Sequence, residues 1–335
     1  VWACGKAAYT EAAHLDACLA RLTAASELSP LDCSAAMNGA ARLWNRGYRI
    51  SEEQAQQLVA ALVQKREQAV PQALSTVLWA VATMGLPAPQ QQVQALVAAL
   101  VQKCEEAKPQ ELSNALWAVV TMGLPVPQQH VQAFVAALVQ KREEANPHDL
   151  STALWAAATM GLPVPQQQAQ ALVAGLVQKR EEANPQAVSN ALWAAATLGL
   201  PVPQQQGQAL VAALVQMREE AKLQGLSSAL WAAATLGLLV PQQQAHSLVA
   251  ALVQEREEAN PQDLSNTLWA AATMGLHVPQ QQVQALVAAL VQKREEAKPQ
   301  DLSNALWAAA TMGRGLPMGD WQLLLAAFVA EAWRV

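Results

Sequence analysis

Apolar residues in the segment NPQDLSNTLWAAATMG (260–275) follow the spacing of one buried helical face. On a wheel that advances about 100° per residue, one side of this helix carries Leu264, Leu268, Ala271 and Ala272. The ends are marked as well, because Asn260 suits an N-cap, Pro261 suits the first helical position and Gly275 suits a left-handed C-terminal residue. The pattern predicts a first helix over 260–275.

A second apolar pattern follows the short link LHVP. Its hydrophobic positions have the i, i+3, i+4, i+7, i+8 spacing of a buried stripe, with Val283, Leu286, Val287, Leu290 and Val291. This stripe predicts a second helix over about 279–297. The two helices form a hairpin, and the alanines on the back of the second helix let neighbouring helices approach closely.

The hairpin recurs along the chain at a fixed interval. Successive copies place a tryptophan every 38 residues, at Trp79, Trp117, Trp155, Trp193, Trp231, Trp269 and Trp307. Such a period is typical of a solenoid, in which a unit buries its apolar face only by stacking on its neighbours. We therefore expect an all-α protein, an α-solenoid of about eight 38-residue helical-hairpin repeats over 31–333. A capping region at 1–30, with one amphipathic helix near 6–25, precedes them.

One variable position lies opposite the leucines of each first helix. Through the copies this position, here called the polar row, holds Asn38, Thr76, Asn114, Thr152, Asn190, Ser228, Asn266 and Asn304. An exposed helix position usually holds a good helix former, and Asn, Thr or Ser costs about 0.5 kcal/mol there relative to Ala. All three are small and neutral and can hydrogen-bond to a ligand. The polar row is therefore predicted to lie in the middle of an exposed, concave face and to bind a ligand. The alternatives are an exposed position without function, or duplication of one early residue.

Two other positions are candidates for ligand contact. Three residues before the polar row, several copies carry an acid, namely Glu111, Asp149, Asp263 and Asp301. Helix capping is the favoured interpretation of these acids, and sharing a ligand with the polar row is the alternative. In the turn before the first helix, lysines that suit phosphate contact stand at Lys108, Lys222 and Lys298. The tryptophans border the same face, where packing between repeats is favoured over stacking on bases.

Composition narrows the possible functions. The chain has 335 residues, a hydrophobic share of 53% and a formal net charge of −5, which predicts a large core and argues against binding driven mainly by phosphate neutralisation. Apolar runs are shorter than the ~20 residues of a membrane span, so no membrane partner is expected.

The cysteines form no CxxC pair and are expected to be free thiols: Cys4, Cys18, Cys33 and Cys104. The charged QKREE segments are interpreted as a solvated face with i, i+3 ion pairs.

No constellation of residues predicts catalysis or metal binding. The histidines occupy unrelated repeat positions: His14, His130, His148, His246 and His277. The pair Glu105–Glu106 and its copies are interpreted as a charged rim rather than as acid/base pairs. The phosphate-binding patterns GxxxxGK[ST] and GxGxxG do not occur. We expect no enzyme activity, no cofactor, no metal and no small-molecule substrate.

The repeat resembles that of the octotricopeptide repeat family. The resemblance rests on the period of 38, on the core L-[SA]-N-x-L-W-A-x-A-x-x-G and on a proline-containing turn, and it covers about 32–333. Members of that family are nucleus-encoded RNA-binding proteins of chloroplasts and mitochondria, mostly from green algae. They act on particular organellar transcripts in stability, processing or translation. The family's Pro-Pro-Pro-Glu-Trp turn is here mostly LPVPQQQ, with LPMGDW (316–321) the nearest copy.

Two functions fit these patterns. The first is sequence-selective binding of single-stranded RNA, about one base per repeat, by a post-transcriptional factor that can have other protein factors as partners. The second is a protein–protein interaction scaffold of the TPR or HEAT type, whose groove holds a peptide or a helix. The small, neutral polar row favours RNA, because a peptide groove typically carries large apolar or charged residues that differ between repeats. The family resemblance implies a chloroplast or mitochondrial location.

Overall fold

The computed structural model describes residues 19–20, 28–162, 164–313 and 317–332, and these ranges contain eight consecutive helical hairpins. In chain order they are α1 (Pro30–Trp44) with α2 (Glu52–Gln64), α3 (Pro71–Met84) with α4 (Gln90–Gln102), α5 (Pro109–Thr121) with α6 (Gln128–Gln140), α7 (Pro147–Thr159) with α8 (Gln166–Gln178), α9 (Pro185–Thr197) with α10 (Gln204–Gln216), α11 (Leu223–Thr235) with α12 (Gln242–Gln254), α13 (Pro261–Thr273) with α14 (Gln280–Gln292), and α15 (Pro299–Thr311) with α16 (Met318–Ala332). The prediction of an all-α solenoid of hairpin repeats is confirmed. Apart from Leu19 and Ala20, the helix predicted near 6–25 lies outside the described residues, as do Cys4, Cys18 and His14.

The chain divides into two compact units, Val1–Gln168 and Ala169–Val335. In the first unit the first helices α1, α3, α5 and α7 pack on one another in series, and α2, α4 and α6 stack beside them. In the second unit α9, α11, α13 and α15 form the series of first helices, and α10, α12, α14 and α16 stack beside them. Within each unit, both layers are therefore built repeat on repeat, as the period of the sequence predicts.

The predicted ends of the first helix are confirmed in α13. The Asn260 side chain accepts a 2.9 Å hydrogen bond from the Asp263 N–H, and the Asp263 carboxylate accepts a 3.4 Å bond from the Asn260 N–H. Pro261 is the first helical residue. Gly275 follows the helix with a φ of 63°, a left-handed conformation that only glycine adopts without steric cost.

The second helices end earlier than predicted. The helix α14 stops at Gln292 rather than near 297, and the residues after it form turns. Two side chains hold this end: Arg294 Nη1 donates to the Val291 carbonyl at 2.9 Å, and Lys293 Nζ donates to the Glu257 carbonyl of the preceding repeat at 2.6 Å. The charges were expected to pair at i, i+3. The ion pair at this end instead joins Arg294 to its neighbour Glu295, at 3.7 Å.

The apolar stripes predicted from the wheel form the core. Leu264 and Leu268 of α13 are each 1% exposed, and the predicted stripe of α14 is likewise buried. Cys33 and Cys104 are free thiols, and burial raises the pKa of both to about 11. None of the described helices combines the length and the apolar character that a membrane span needs.

Candidate functional site

The accessible part of a first helix is a narrow stripe along one side. In α13 its exposed or half-buried residues are Gln262, Asn266, Trp269 and Thr273. We call this set, and its copies in the other first helices, the free stripe. On the wheel of about 100° per residue, Asp263 and Ala270 fall within about 60° of Asn266 and are predicted to be exposed. They are buried instead, at 4% and 0% exposure. The predicted face was therefore wrong on that flank, and the free stripe is centred between Asn266 and Trp269.

Most of the polar row lies on the free stripes. Seven members are half-buried: Asn38, Thr76, Asn114, Asn190, Ser228, Asn266 and Asn304. Thr152 is 3% exposed, so the prediction of an exposed residue is wrong in α7. A half-buried amide or hydroxyl can still hydrogen-bond to a ligand. The row thus presents three accessible members in the first unit and four in the second.

Three of the four candidate acids are buried between neighbouring first helices. Each carboxylate accepts a hydrogen bond from the serine Oγ of the preceding first helix. The pairs are Ser113–Asp149 at 2.6 Å, Ser227–Asp263 at 2.7 Å and Ser265–Asp301 at 3.3 Å. The exposed fractions of the three acids are 2%, 4% and 6% in the same order. Their proposed contact with a ligand is therefore corrected: Asp149, Asp263 and Asp301 hold adjacent repeats together.

The same acids cap the helices that carry them, as the favoured interpretation predicted. Burial raises the pKa of Asp263, while the hydrogen bonds from Ser227 and from the Asn260 N–H act in the opposite direction. Glu111 is half-buried, and its Oε2 accepts the Lys108 N–H at 2.8 Å. Of the four acids, only Glu111 remains accessible from the surface.

The three candidate lysines are exposed and occupy N-cap positions. In other repeats this position holds an asparagine whose side chain accepts a helix N–H, as Asn146 does from Asp149 at 3.0 Å. The N-cap residues Lys108, Lys222 and Lys298 make no such side-chain bond. Loss of a side-chain cap lowers helix stability by about 1 kcal/mol. A cation near a helix N-terminus is repelled by the helix dipole, but together with the free N–H groups it can bind an anion. The placement of these lysines therefore suits phosphate contact better than it suits stability.

The tryptophans combine packing between repeats with partial exposure. The rings of Trp269 and Trp307 lie 6.4 Å apart at an angle of 36°, so these two indoles pack repeat on repeat as expected. The corresponding tryptophans of the earlier repeats are half-buried, and Trp307 is 47% exposed. In the degenerate first repeat, the Arg49 guanidinium lies 4.0 Å from the Trp44 ring centroid. An edge of each indole therefore borders the free stripe.

One exposed position next to the polar row was not predicted to contact a ligand, although the wheel placed it on the exposed face. The residue four positions earlier is a glutamine in six first helices and His148 in α7, and all seven are exposed. Gln300 Nε2 donates to Asn304 Oδ1 at 3.0 Å, which links the two positions directly. The i, i+4 spacing that brings such residues together was the signal available in the sequence.

Among the residues that the structure describes, no group of three His, Cys, Asp or Glu side chains could hold a metal ion. The free stripes instead offer amide, hydroxyl and indole groups, whose chemistry is hydrogen bonding and stacking. Their arrangement suits a binding surface that recognises an extended ligand one repeat at a time.

Comparison with known proteins adds a partial relationship. Residues 88–174, from α4 into α8, match the family described as the Tbc2 translation factor, N-terminal domain. No curated protein matches the chain. Matches among solved structures include the crystal structure of an engineered protein, with 17% identity, a TM-score of 0.47 and coverage of 97% of this chain and 87% of that one. A homology model of the full-length AP-3 complex in an intermediate open conformation has 10% identity, a TM-score of 0.34 and coverage of 93% and 66%. Membership of the octotricopeptide repeat family stays a prediction.

Proposed function

We propose that this protein binds single-stranded RNA in a sequence-selective manner, with about one base on the free stripe of each repeat. It then acts as a post-transcriptional factor on the transcripts of a chloroplast or mitochondrion, in their stability, processing or translation. The observation that carries the proposal is the polar row, a small neutral hydrogen-bonding residue that is accessible in seven first helices. In six of them, from α3 to α15, a partly exposed tryptophan follows three residues later. The match of residues 88–174 to a translation-factor domain supports an RNA-related role.

The chemistry of the free stripe suits unstacked bases. Proteins recognise single-stranded RNA by hydrogen bonds to base edges and by stacking bases on aromatic side chains. In α13, Asn266 supplies the amide group and Trp269 supplies a half-buried indole one turn away. Because the same pair of positions recurs on successive first helices within each unit, neighbouring bases meet equivalent surfaces.

Charge contributes less to this binding than hydrogen bonding does. The chain has a net charge of −5, and the exposed lysines beside the free stripes are few. Each phosphate contact on a single strand changes the logarithm of the association constant by about −0.7 per tenfold rise in salt concentration. If three phosphates are contacted, by Lys108, Lys222 and Lys298, the total change is only about −2. Selectivity for sequence therefore comes from the polar row.

A protein-binding scaffold is the less favoured function. A peptide groove distinguishes its ligand through pockets and charges that differ from place to place. The free stripes of α9 and α13 carry the same residues, with Gln186 matching Gln262 and Asn190 matching Asn266. Repetition of this kind suits a ligand that is itself a repeating polymer.

Selection from a randomised RNA pool, followed by binding measurements on the enriched sequence, tests the proposal. We expect a motif several nucleotides long, and enrichment no higher than background would overturn it. A variant with alanine at Asn114, Asn190, Asn266 and Asn304 is expected to lose the motif. The matched control carries alanine at four exposed glutamines of the second helices, Gln91, Gln129, Gln167 and Gln205, and is expected to retain the motif.

A further inference from the structure

The residue four positions before the polar row is exposed in the seven first helices from α3 to α15, and it lies on the same side of the helix as the polar row. In α1 the corresponding residue, Ser34, is buried. Residues i and i+4 of an α-helix are neighbours on its surface, one turn apart. The earlier residue is exposed and the polar-row residue is half-buried, as at Gln110 and Asn114 in α5. A ligand that approaches Asn114 from solvent therefore meets Gln110 as well.

Hydrogen bonding in two repeats shows what a neighbour one turn away does to the polar-row amide. Gln300 Nε2 donates to Asn304 Oδ1 at 3.0 Å in α15. In α1 the donor comes from the other direction, where Arg42 Nε donates to Asn38 Oδ1 at 3.2 Å. In both cases the amide oxygen accepts one hydrogen bond from its neighbour, which orients the amide and leaves its N–H groups to donate to a ligand.

In α15 the pair thus acquires a defined polarity. Asn304 offers N–H donors, while Gln300 Oε1 keeps its capacity to accept. A donor next to an acceptor makes the two-point contact by which amide side chains discriminate between base edges. An isolated asparagine, whose amide can rotate, presents no fixed order of donor and acceptor.

The repeat at α7 gives independent support for a second contact position. Thr152 is 3% exposed, so the polar-row residue cannot by itself contact a ligand there. His148, four residues earlier, is exposed and differs from the glutamine of the other repeats. Of these two positions, only His148 is therefore accessible to a ligand in α7.

We propose that two side chains set the base preference of the repeats at α3, α5, α9, α11, α13 and α15, the polar-row residue and the residue four positions before it, and this inference rests on the proposed RNA binding. The four Gln–Asn repeats, at α5, α9, α13 and α15, share one base preference. The Gln72–Thr76 repeat and the His148–Thr152 repeat differ from each other, although both carry threonine in the polar row. His148 is the specificity-determining residue of α7.

The test repeats the RNA selection with single variants. His148→Gln is expected to change the preferred base at one position of the motif, because it replaces the accessible side chain of α7. Gln110→Ala is expected to weaken binding to the selected RNA by about tenfold and to relax preference at one other position. Gln129→Ala, an exposed glutamine on the second helix of the same hairpin as Gln110, is the matched control and is expected to change neither.

The outcomes separate this inference from the function on which it rests. Failure of the unmodified protein to enrich any motif overturns both. Two results together overturn the two-residue inference alone. The motif stays unchanged in His148→Gln and Gln110→Ala, and the variant with alanine at four polar-row asparagines still loses it. Circular dichroism melting curves that coincide for all variants show that the fold is intact. Equal weakening at every position by Gln110→Ala also counts against the inference, because it indicates a general contact with the backbone of the RNA.

Discussion

Ser227 on α11 donates a 2.7 Å hydrogen bond to the carboxylate of Asp263 on α13, and this carboxylate also accepts the N–H of Asn260. One buried side chain therefore fixes both the start of a first helix and its position against the preceding repeat. Asp263 is 4% exposed, so water cannot replace either partner without opening the interface.

Removal of the serine hydroxyl is expected to destabilise the second unit. Ser227→Ala leaves a buried carboxylate without one of its donors and should lower the free energy of unfolding by about 2 kcal/mol. Urea denaturation measures the change. Ser189→Ala is the matched control, because Ser189 faces Gly225 and donates to the Gln186 carbonyl of its own helix. We expect less than about 0.5 kcal/mol there, since that carbonyl keeps its helical partner, and equal effects at the two serines would contradict the assignment.

Stability should depend on pH through Asp263. Burial raises the pKa of this carboxyl in the folded state above its ordinary value, so the folded protein binds more protons than the unfolded chain between the two pKa values. The contribution of Asp263 to the free energy of unfolding is then largest at low pH and falls as pH rises through that window. In Asp263→Asn this dependence is absent. Urea denaturation between about pH 4 and pH 7 measures the free energy of unfolding of both proteins. The free energy of the wild type minus that of the variant should decrease as pH rises, and a constant difference would refute the assignment.

Cys104 offers a position where stability can be gained. Other repeats hold arginine there, and Arg142 Nη1 donates to the Val139 carbonyl at 3.2 Å near the end of α6. Cys104→Arg is expected to add the corresponding bond to Val101 and to raise the free energy of unfolding by about 0.5–1 kcal/mol. Burial raises the pKa of Cys104 to about 11, so the substitution removes a neutral thiol rather than an ionised one. Chemical denaturation of this variant and of the reverse change, Arg142→Cys, should give shifts of opposite sign.

Lys108→Asn separates stability from ligand binding. An asparagine at this N-cap can accept a helix N–H as Asn146 does, so we expect a gain of about 1 kcal/mol in the free energy of unfolding. Loss of the cation should at the same time weaken RNA binding and make its salt dependence shallower by about 0.7. Urea denaturation and a salt titration of RNA binding measure the two effects. A salt dependence that does not change would show that Lys108 contacts no phosphate, and Asn146→Lys supplies the opposite change for comparison.

The ends of the first helices were predictable because they depend on local chemistry. An asparagine cap, a proline and a glycine act within a few residues of their own positions, and Asn260, Pro261 and Gly275 behave as expected. The end of the second helix was not predictable in the same way. In α14, Lys293 bonds to a carbonyl of the preceding repeat, a partner that lies 36 residues away in the sequence. The helices α10 and α12 end at the same point of the repeat with Met217 and Glu255 in place of this lysine, so the bond supports the end without setting it.

The candidate site was predicted in part for a related reason. A helical wheel separates the leucines of α13 from the opposite face, and that division held for Gln262, Asn266 and Thr273. It cannot show that neighbouring first helices cover both flanks of the helix, which leaves a narrower accessible arc. Asp263 therefore lies in the interface between repeats and not on the candidate surface. Its neighbour Gln262 is exposed on that surface.

The serine–aspartate bond also bears on how an array of this kind can change length. Each copy from α3 to α15 supplies a serine, whereas the aspartate that receives it is present only in some copies. Where the next copy lacks the acid, as at Gly225, the serine hydroxyl still has a carbonyl of its own helix to bond. After insertion or deletion of a copy, every buried aspartate therefore still meets a serine donor on the preceding first helix, whichever copies become neighbours. Whole repeats can therefore be added, lost or reordered without leaving a buried carboxylate unpaired at an interface between repeats, and under the proposed function the length of the recognised RNA sequence changes with the number of repeats.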